Sequence, residues 1–207
     1  FHTASLGEYE QAKPVIESFK TKHTSKKVLV TFFSPSGFEI RKNDPLPDYI
    51  FYLPIDTKRN VRQFLSIIKP SLIVFVRYEF WPNYFHQIIK QQIPLAIISA
   101  HFRPNQFIFS ALGSFIKSLL FSANRIIVQY ESSMNVLLQN GADKHKVVVC
   151  GDSRIDRVSD IANNPIIDPV LKVFSENSKV LILGSCYKEE VSMLENILVS
   201  NPDLKVI

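Results

Sequence analysis

Two glutamates occupy positions in this sequence from which a carboxylate can do acid–base chemistry. Glu8 follows a short apolar stretch and the small-residue turn 5–7, and Glu79 follows the strongly apolar run 72–76. In an open α/β sheet, ligands gather where the strands end and the following helices begin. A glutamate at such a turn is therefore a candidate general base or charge-stabilising group.

The same spacing also has a purely structural interpretation. Ser5 can cap the following helix, and Glu8, three residues later, can complete a capping box and complement the positive end of the helix dipole. Glu79 can pair with Arg77 or with another basic residue of the cleft, while Trp81 is buried in the core. Local spacing leaves both interpretations open.

Two further turns carry polar side chains. One contains Ser34, Ser36 and Gly37, whose hydroxyl and backbone N–H groups can hold a sugar or a phosphate. Its alternative is a simple turn into a helix that Ser36 caps. In the other turn, Arg103 is suited to bind a phosphate or carboxylate through two parallel hydrogen bonds. The nearby His101 is expected to be solvated or satisfied within the core.

These turns fall between short β-rich runs and segments of helical periodicity, which alternate along the chain. The predicted strands are 27–33, 49–53, 72–76, 95–99, 125–128 and 147–149. The predicted helices are 8–22, 61–68, 81–91, 105–121 and 132–140, and Pro14 should kink the first or delay its start beyond Glu8. Such alternation predicts an α/β fold with a doubly wound parallel sheet.

A connector is expected to divide the chain into two domains. Residues 1–150 form a Rossmann-like domain, 151–165 form the connector, and 166–207 begin a second Rossmann-like unit with a strand at 180–183 and a helix at 188–198. Because the chain starts inside one strand pattern and stops inside another, we expect it to be part of a longer protein.

Composition excludes several classes of protein. Of the 207 residues, 46% are hydrophobic and 21% are charged, as expected of a globular protein with a substantial core. Two cysteines without metal-ligand spacing indicate neither a disulfide framework nor a zinc site. The scattered net charge of +5 suits anionic partners without indicating nucleic acid. The sequence contains no bilayer-spanning run, no signal peptide, and neither the dinucleotide-binding nor the P-loop glycine motif.

Six motifs, in this order, resemble those of the Kdo (3-deoxy-D-manno-octulosonic acid) transferases of lipopolysaccharide synthesis, particularly the Bacteroidetes type. They are HTASLGE at 2–8, TFFSPSG at 31–37, YEFWPN at 78–83, SAHFR at 99–103, GDSRID at 151–156, and GSCY with its following glutamates at 184–190. Each motif is weak alone, so their number and order carry the resemblance, which covers essentially the whole chain. The chain departs from the family pattern at His101, Asp152 and Arg154, where the family has Arg, Asn and Lys.

The resemblance implies a GT-B glycosyltransferase that moves Kdo from CMP-Kdo to the 6'-hydroxyl of a lipid A precursor, with inversion and without a metal or cofactor. Glu8 corresponds to the general base, which the helix N-terminus should keep ionised at neutral pH. Glu79 and Arg154 correspond to groups that stabilise the transition state. The residues expected to bind substrate are Ser5, Gly7, Ser34, Ser36, Gly37 and Arg103. Gly184 and Ser185 are expected to bind the donor.

The family resemblance further implies a place at the cytoplasmic face of the bacterial inner membrane, reached peripherally or through an anchor outside this sequence. Residues 105–121 hold more large apolar side chains than one buried helix face needs. They form either a core helix or a face, flanked by Arg103 and Lys117, that contacts acyl chains or the membrane surface. Charged substitution of Phe109 or Phe115, with a vesicle-binding assay, distinguishes the two.

Two other functions stay open at this level. One is another GT-B nucleotide-sugar transferase, and the other is a non-catalytic module that binds anionic lipid. No motif specifies the number of Kdo residues added or the oligomeric state. Because most of the donor domain would lie beyond residue 207, the chain alone is expected to be inactive.

Overall fold

The computed structural model describes residues 1–77, 79–165 and 167–207, apart from the side chain of Asn196. Tyr78, the first residue of the YEFWPN motif, lies outside the described residues. The described chain divides into two compact units, Phe1–Asp160 and Ile161–Ile207.

Strands and helices alternate in the first unit. Its strands are β1 (Leu29–Phe32), β2 (Tyr49–Tyr52), β3 (Ile73–Val76), β4 (Leu95–Ala100), β5 (Arg125–Val128) and β6 (Val147–Val149). Its helices are α1 (Leu6–Lys22), α2 (Pro35–Arg41), α3 (Lys58–Ile68), α4 (Pro82–Lys90), α5 (Ser114–Phe121), α6 (Glu131–Gln139) and α7 (Ser153–Asn163), whose last residues belong to the second unit. The predicted strands are confirmed to within two residues at either end, whereas α2 and α7 occupy segments predicted as a turn and a connector.

The described strands of the first unit pair in parallel. β1 pairs with β2, and β3, β4, β5 and β6 pair in that order, with an irregular register between Ile97 and Ala100. His2 joins the two groups, because it bridges Thr31 of β1 and Phe75 of β3. The predicted parallel sheet is therefore confirmed, and the polar turns follow the carboxyl ends of its strands, where α/β sheets bind ligands.

Two apolar cores cover opposite faces of the sheet. On β3, Phe75 packs with side chains of α3, α4, α5 and α6, whereas Val74 and Val76 pack with α1, because successive side chains of a strand point to opposite faces. The buried stripe of α1 recurs at helical spacing and consists of Tyr9, Ala12 and Ile16. Strands β1, β3 and β4 are covered on both faces and are near-continuous apolar runs in the sequence, whereas β2 is largely exposed.

Helix α1 begins at Leu6 and continues through Pro14 to Lys22. The predicted start beyond Glu8 is therefore wrong, because Ser5, directly before Leu6, already has the extended backbone of a helix N-cap. Pro14 removes one backbone hydrogen bond from the helix interior. Glu10 ties the helix to its neighbours, since it binds Arg41 of α2 at 2.6 Å and Arg157 of α7 at 3.2 Å.

The predicted helix over 105–121 is wrong in its first half. Two short 3-10 turns precede α5, namely Phe107–Phe109 and Ala111–Gly113. Ser110 interrupts the helix, because its hydroxyl donates to the Phe107 carbonyl at 2.7 Å and accepts the Gly113 N–H at 3.2 Å. Gly113 is required there, because a Cβ would collide with the Phe107 carbonyl oxygen.

The second unit is a smaller α/β arrangement. It contains α8 (Pro169–Ser175), β7 (Val180–Leu181), α9 (Lys188–Ser192), α10 (Glu195–Ser200) and β8 (Lys205–Val206). The two strands pair in parallel, and Lys205 of β8 donates to the Phe174 carbonyl of α8 at 2.7 Å. The single helix predicted over 188–198 is instead two short helices.

Candidate active site

The first strand segment of the chain is bound on both sides by neighbouring strands. On the β3 side, the His2 N–H donates to the Val74 carbonyl at 2.8 Å and the Val76 N–H donates to the His2 carbonyl at 3.1 Å. On the β1 side, the Thr3 N–H donates to the Thr31 carbonyl at 2.9 Å. These bonds end where the turn into α1 begins, so they position the first turn of that helix.

The His2 side chain is a buried, neutral imidazole. Burial lowers its pKa to about 3. Its ring meets Phe75 and Trp81 edge-on, with ring centres 5.4 and 5.5 Å apart, and its Nδ1 lies 3.0 Å from the Thr31 hydroxyl. Its Nε2 has no hydrogen-bond partner in the part of the chain that the structure describes. His2 is therefore a supporting residue and not an acid at neutral pH.

The turn after β1 closes onto the turn before α1. The carbonyl of Ala4 accepts the N–H of Ser34 at 2.7 Å. Gly37 of α2 is buried, and a Cβ at this position would lie 2.8 Å from the backbone nitrogen of Leu6. Gly37, predicted to bind substrate, thus permits close packing between α2 and the start of α1.

Ser34 occupies the N-cap position of α2 without a side-chain capping hydrogen bond, so the alternative in which Ser36 is the cap is wrong. Ser34 has the extended N-cap conformation and Pro35 takes the first helical position, where its missing N–H is not needed. The hydroxyls of Ser34 and Ser36 lie 2.7 Å apart. Gly7, on the facing turn, is exposed, and no described atom lies within 4 Å of the place that a Cβ would take. Two hydroxyls and an open turn thus remain accessible near the start of α1.

Glu8 combines a helix cap with burial. Its Oε2 accepts the Ser5 N–H at 3.0 Å, which is one half of the predicted capping box. In the other half, the Glu8 N–H points to the Ser5 hydroxyl oxygen, so the predicted capping box is present, although this contact is looser than an ordinary hydrogen bond. Only 8% of the residue is exposed. The Ser5 N–H thereby orients the carboxylate through Oε2, and Oε1 makes no ordinary hydrogen bond with the described residues.

The pKa of Glu8 lies above its ordinary value. Burial is the main cause, and the like charge of Glu79 adds to it. The N–H groups of Ser5 and Ala4 and the cation of Arg77 act in the opposite direction. The capping N–H groups favour the ionised form, as expected, but burial outweighs them and the net shift of the pKa is upward. A raised pKa makes the ionised carboxylate a stronger base.

Glu79 is the second carboxylate of the site. Burial raises its pKa as well, and the Trp81 indole N–H opposes that shift, although it forms no ordinary hydrogen bond with a described residue. Trp81 is partly buried between the rings of His2 and Phe33. The predicted ion pair with Arg77 is not found among the described residues. Glu8 and Glu79 are thus two partly desolvated carboxylates, and the charge of Glu79 adds to the raised pKa of Glu8.

Arg154 is bound to a neighbouring carboxylate. Its Nε donates to both oxygens of Asp152, at 3.1 and 2.9 Å, and one terminal nitrogen makes a further contact. Arg154 is the main cause of the lowered pKa of Asp152. The Arg154 side chain is still 54% exposed, so its outer N–H groups are accessible. Ser153 lies between Asp152 and Arg154 in the sequence. Its hydroxyl lies 3.0 Å from the Ser99 hydroxyl, and this contact connects the segment to β4.

Arg103 lies at the exposed end of a short hydrogen-bond chain. Its Nε donates to Nε2 of His101 at 3.3 Å, and Nδ1 of His101 lies 3.2 Å from the Ser133 hydroxyl. Burial, followed by the charges of Arg103 and Arg77, lowers the pKa of His101. The neutral imidazole therefore orients Arg103, and it is satisfied by hydrogen bonds as predicted.

Arg77 is a further charged residue of the site, beyond those predicted from the sequence. Its positive charge lowers the pKa of Glu8, His101 and Asp152, which follow three different strands or strand segments. Its position directly after β3 could have indicated a ligand-binding role. A residue paired with Glu79, as predicted, would have no such role.

Gly184 and Ser185 lie in the second unit, in the turn after β7. No described atom lies within 4 Å of the place that a Cβ would take at Gly184, and Ser185 has a left-handed backbone with φ of +57°. Glu190 accepts the Tyr187 N–H at 2.7 Å and so caps α9. The turn is open, and its role toward a donor stays a prediction.

A cavity of about 550 Å³ lies towards the amino ends of the strands, and its described lining includes His2 and Thr31 but not Glu8, Glu79 or Arg154. Its described lining is largely apolar, with side chains such as Leu29, Leu65 and Ile73, and includes no carboxylate. Within residues 1–77, 79–165 and 167–207, no three His, Cys, Asp or Glu side chains are grouped as a metal site. In the same ranges, no helix has the length and apolar character needed to cross a bilayer.

A family profile described as 3-deoxy-D-manno-octulosonic-acid transferase (kdotransferase) matches residues 1–157, which is most of the chain. The chain belongs to this Kdo transferase family. Glu8, Arg77, Glu79 and Arg154 all lie within the matched range.

Two proteins named 3-deoxy-D-manno-octulosonic acid transferase illustrate the relationship. The Kdo transferase of Haemophilus influenzae is 23% identical over 192 residues, which cover 91% of this chain and 45% of that protein. That of Aquifex aeolicus is 29% identical over 153 residues, which cover 73% of this chain and 38% of that protein. The chain therefore spans less than half the length of these curated Kdo transferases.

Solved structures show the fold of this Kdo transferase-family chain. The UDP-GlcNAc 2-epimerase of Neisseria meningitidis, bound to UDP-GlcNAc, has a TM-score of 0.66 at 18% identity, over 99% of this chain and 63% of that one. At such low identity the likeness concerns the fold alone. It confirms the predicted Rossmann-like α/β architecture of the GT-B type.

In this Kdo transferase-family chain, Glu8→Gln should raise the free energy of unfolding at neutral pH, because Gln can still accept the Ser5 N–H but carries no buried charge. The folded state holds the Glu8 proton more tightly than the unfolded state, so wild-type stability should fall as pH rises through the raised pKa. The advantage of Glu8→Gln should vanish below about pH 4.

Urea unfolding between pH 4 and pH 8 measures this difference. Glu17→Gln, at an exposed position of the same helix, is the matched control and should show no such pH dependence. A Glu8→Gln protein that is less stable than wild type at neutral pH would show that the cap outweighs burial.

Proposed function

We propose that this protein transfers Kdo from CMP-Kdo to the 6'-hydroxyl of a lipid A precursor, with inversion and without a metal or cofactor in the chemical step. Family membership supports Kdo transfer, and the donor, acceptor and stereochemistry are part of the proposal. The observation that carries it is Glu8, a buried carboxylate with a raised pKa that the Ser5 N–H orients at the carboxyl edge of the sheet.

Glu8 acts as the general base in this mechanism. The acceptor hydroxyl gives its proton to the Glu8 carboxylate while its oxygen forms a bond to the anomeric carbon of Kdo. In the same step the bond from that carbon to the CMP phosphate breaks, and its electron pair leaves with CMP. A single displacement of this kind inverts the anomeric centre.

Glu79 and Arg154 stabilise the charges that develop during transfer. The anomeric carbon becomes cation-like, which an ionised Glu79 favours, and the departing phosphate gains negative charge, which Arg154 favours. Because Arg154 is already bound to Asp152, it offers the phosphate its outer N–H groups. We assign acceptor binding to the turns that carry Ser5, Gly7, Ser34, Ser36 and Arg103, and nucleotide binding to Gly184 and Ser185.

Glu8→Gln in the complete protein, as encoded by its gene, should lower kcat for Kdo transfer by about 10²–10⁴-fold, the usual contribution of a general base. Gln keeps the shape and the cap but cannot accept the proton, so acceptor binding should survive. Mass spectrometry of a lipid A precursor incubated with CMP-Kdo measures transfer. Glu17→Gln, exposed on the same helix, is the control and should keep the wild-type rate.

Retained turnover in a folded Glu8→Gln protein would refute the assignment of the base. A panel of other nucleotide sugars tests the donor, because transfer of a different sugar would replace Kdo in the proposal. A wild-type protein that binds the lipid precursor but transfers no sugar would instead favour a lipid-binding module.

We also propose that the protein meets the cytoplasmic face of the inner membrane through the segment that leads into α5. Phe107, Leu112 and Phe115 are 59%, 85% and 61% exposed, an unusual degree for such large apolar side chains. Arg103, which is exposed, and Lys117 add positive charge on either side. An amphiphilic acceptor and anionic lipid headgroups would both suit such a surface.

The double change Leu112→Glu and Phe115→Glu should weaken binding to vesicles of phosphatidylethanolamine and phosphatidylglycerol by about tenfold or more, because two apolar contacts are lost. Phe109 is unsuited to this test, because it packs on Phe102 with ring centres 6.0 Å apart. Ile67→Glu, at a 68% exposed position of α3, is the control. Wild-type binding by the folded double variant would exclude this surface from membrane contact.

A further inference from the structure

Arg77 has an unusual backbone conformation at the end of β3. Its φ is +65°, in the left-handed region that residues with a Cβ rarely adopt. Its N–H donates to the Ile98 carbonyl at 2.8 Å, which holds this conformation against β4. Ser99, the next residue of β4, is also left-handed, with φ of +53°. Backbone strain of this kind persists where the surrounding structure enforces it, and it is concentrated at functional sites.

The guanidinium of Arg77 lacks a full set of partners. Its Nε is buried and donates no hydrogen bond to any residue that the structure describes. None of the ion pairs among those residues includes Arg77, whereas Arg154 is paired with Asp152. A buried N–H without an acceptor is unfavourable, and a ligand atom can remove that penalty by accepting its hydrogen bond.

Arg77 also lies among the other polar groups of the site. The Val76 N–H bonds to the His2 carbonyl, on the segment that leads to Glu8, and the Arg77 N–H bonds to β4 on the other side. The charge of Arg77 is felt at Glu8, His101 and Asp152, in three separate turns. The backbone of Arg77 therefore lies between the segment that leads to Glu8 and β4, and its charge acts on groups in three of the turns that follow the strands.

We propose that Arg77 binds an oxyanion of the ligand, a carboxylate or phosphate group, next to the general base. A guanidinium holds either group through two parallel N–H···O bonds, and such an anion would give the buried Nε its missing acceptor. The source of the anion rests on the proposed function. CMP-Kdo would supply the carboxylate of Kdo, and a lipid A precursor would supply a phosphate.

A first test requires no turnover. Inorganic phosphate and acetate are titrated into the complete protein while its melting temperature is measured. The wild type should show a saturable rise with at least one of these anions, because an anion that binds only the folded state stabilises it. Arg77→Gln retains a Cβ, and hence the same backbone strain, but should lose the rise.

Two variants serve as controls for this titration. Arg125→Gln removes the same charge from an exposed position at the amino end of β5 and should keep the full response. Arg77→Lys keeps the positive charge but lacks the planar guanidinium, so it should show part of the wild-type rise in melting temperature. An unchanged response in folded Arg77→Gln, or the absence of a saturable rise in the wild type, would overturn the proposal.

Steady-state kinetics then identify the source of the anion. Arg77→Gln should raise one KM by about tenfold or more, as expected for a lost charged hydrogen bond. An increased KM for CMP-Kdo identifies the carboxylate. An increased KM for the acceptor identifies a phosphate, and an acceptor that lacks this phosphate should then show no further loss in the variant. Unchanged values of both KM would overturn the proposal. A wild-type protein that transfers no Kdo would instead contradict the proposed function, and the anion titration alone would then decide whether Arg77 binds an oxyanion.

Discussion

The two-sided pairing of His2 and Thr3 is the constraint on which the site depends. These residues bond to β3 on one side and to β1 on the other, so they join the two groups of strands into one sheet. They also determine where the chain leaves the sheet. The Ala4 carbonyl binds the turn after β1, and Gly37 lets α2 approach the same point. Helix α1 therefore starts with Glu8 buried in its first turn.

Burial of Glu8 and Glu79 joins stability to function. Two carboxylates removed from water disfavour the folded state, because burial raises the pKa of both and the charge of Glu79 raises that of Glu8 further. The fold tolerates this because α1 buries a complete apolar stripe against β1 and β3. Ion pairs of Glu10 with α2 and α7 hold the helix on its other side. A strong base is thus maintained at some expense in stability, as is common at active sites.

Much of the fold could be predicted, because strands covered on both faces are continuous apolar runs in the sequence. The true start of the helix predicted over 105–121 could not be predicted. Ser110 and Gly113 interrupt this segment through contacts that only the folded chain makes. Spacing identified Glu8 and its cap but not the upward shift of its pKa, because a capping box carries no information about burial. Arg77 was missed for a similar reason: neither its left-handed backbone nor its buried Nε can be inferred from residue order.

The pH dependence of kcat/KM for Kdo transfer tests the role of Glu8 most directly, since its acid limb gives the pKa of the base in the free enzyme. That pKa should lie above the ordinary glutamate value, because burial and the charge of Glu79 both raise it. Glu79→Gln should move the acid limb to lower pH by removing the like charge. An acid limb at the ordinary glutamate value, or one that Glu79→Gln leaves in place, would contradict the assignment of Glu8 as the base.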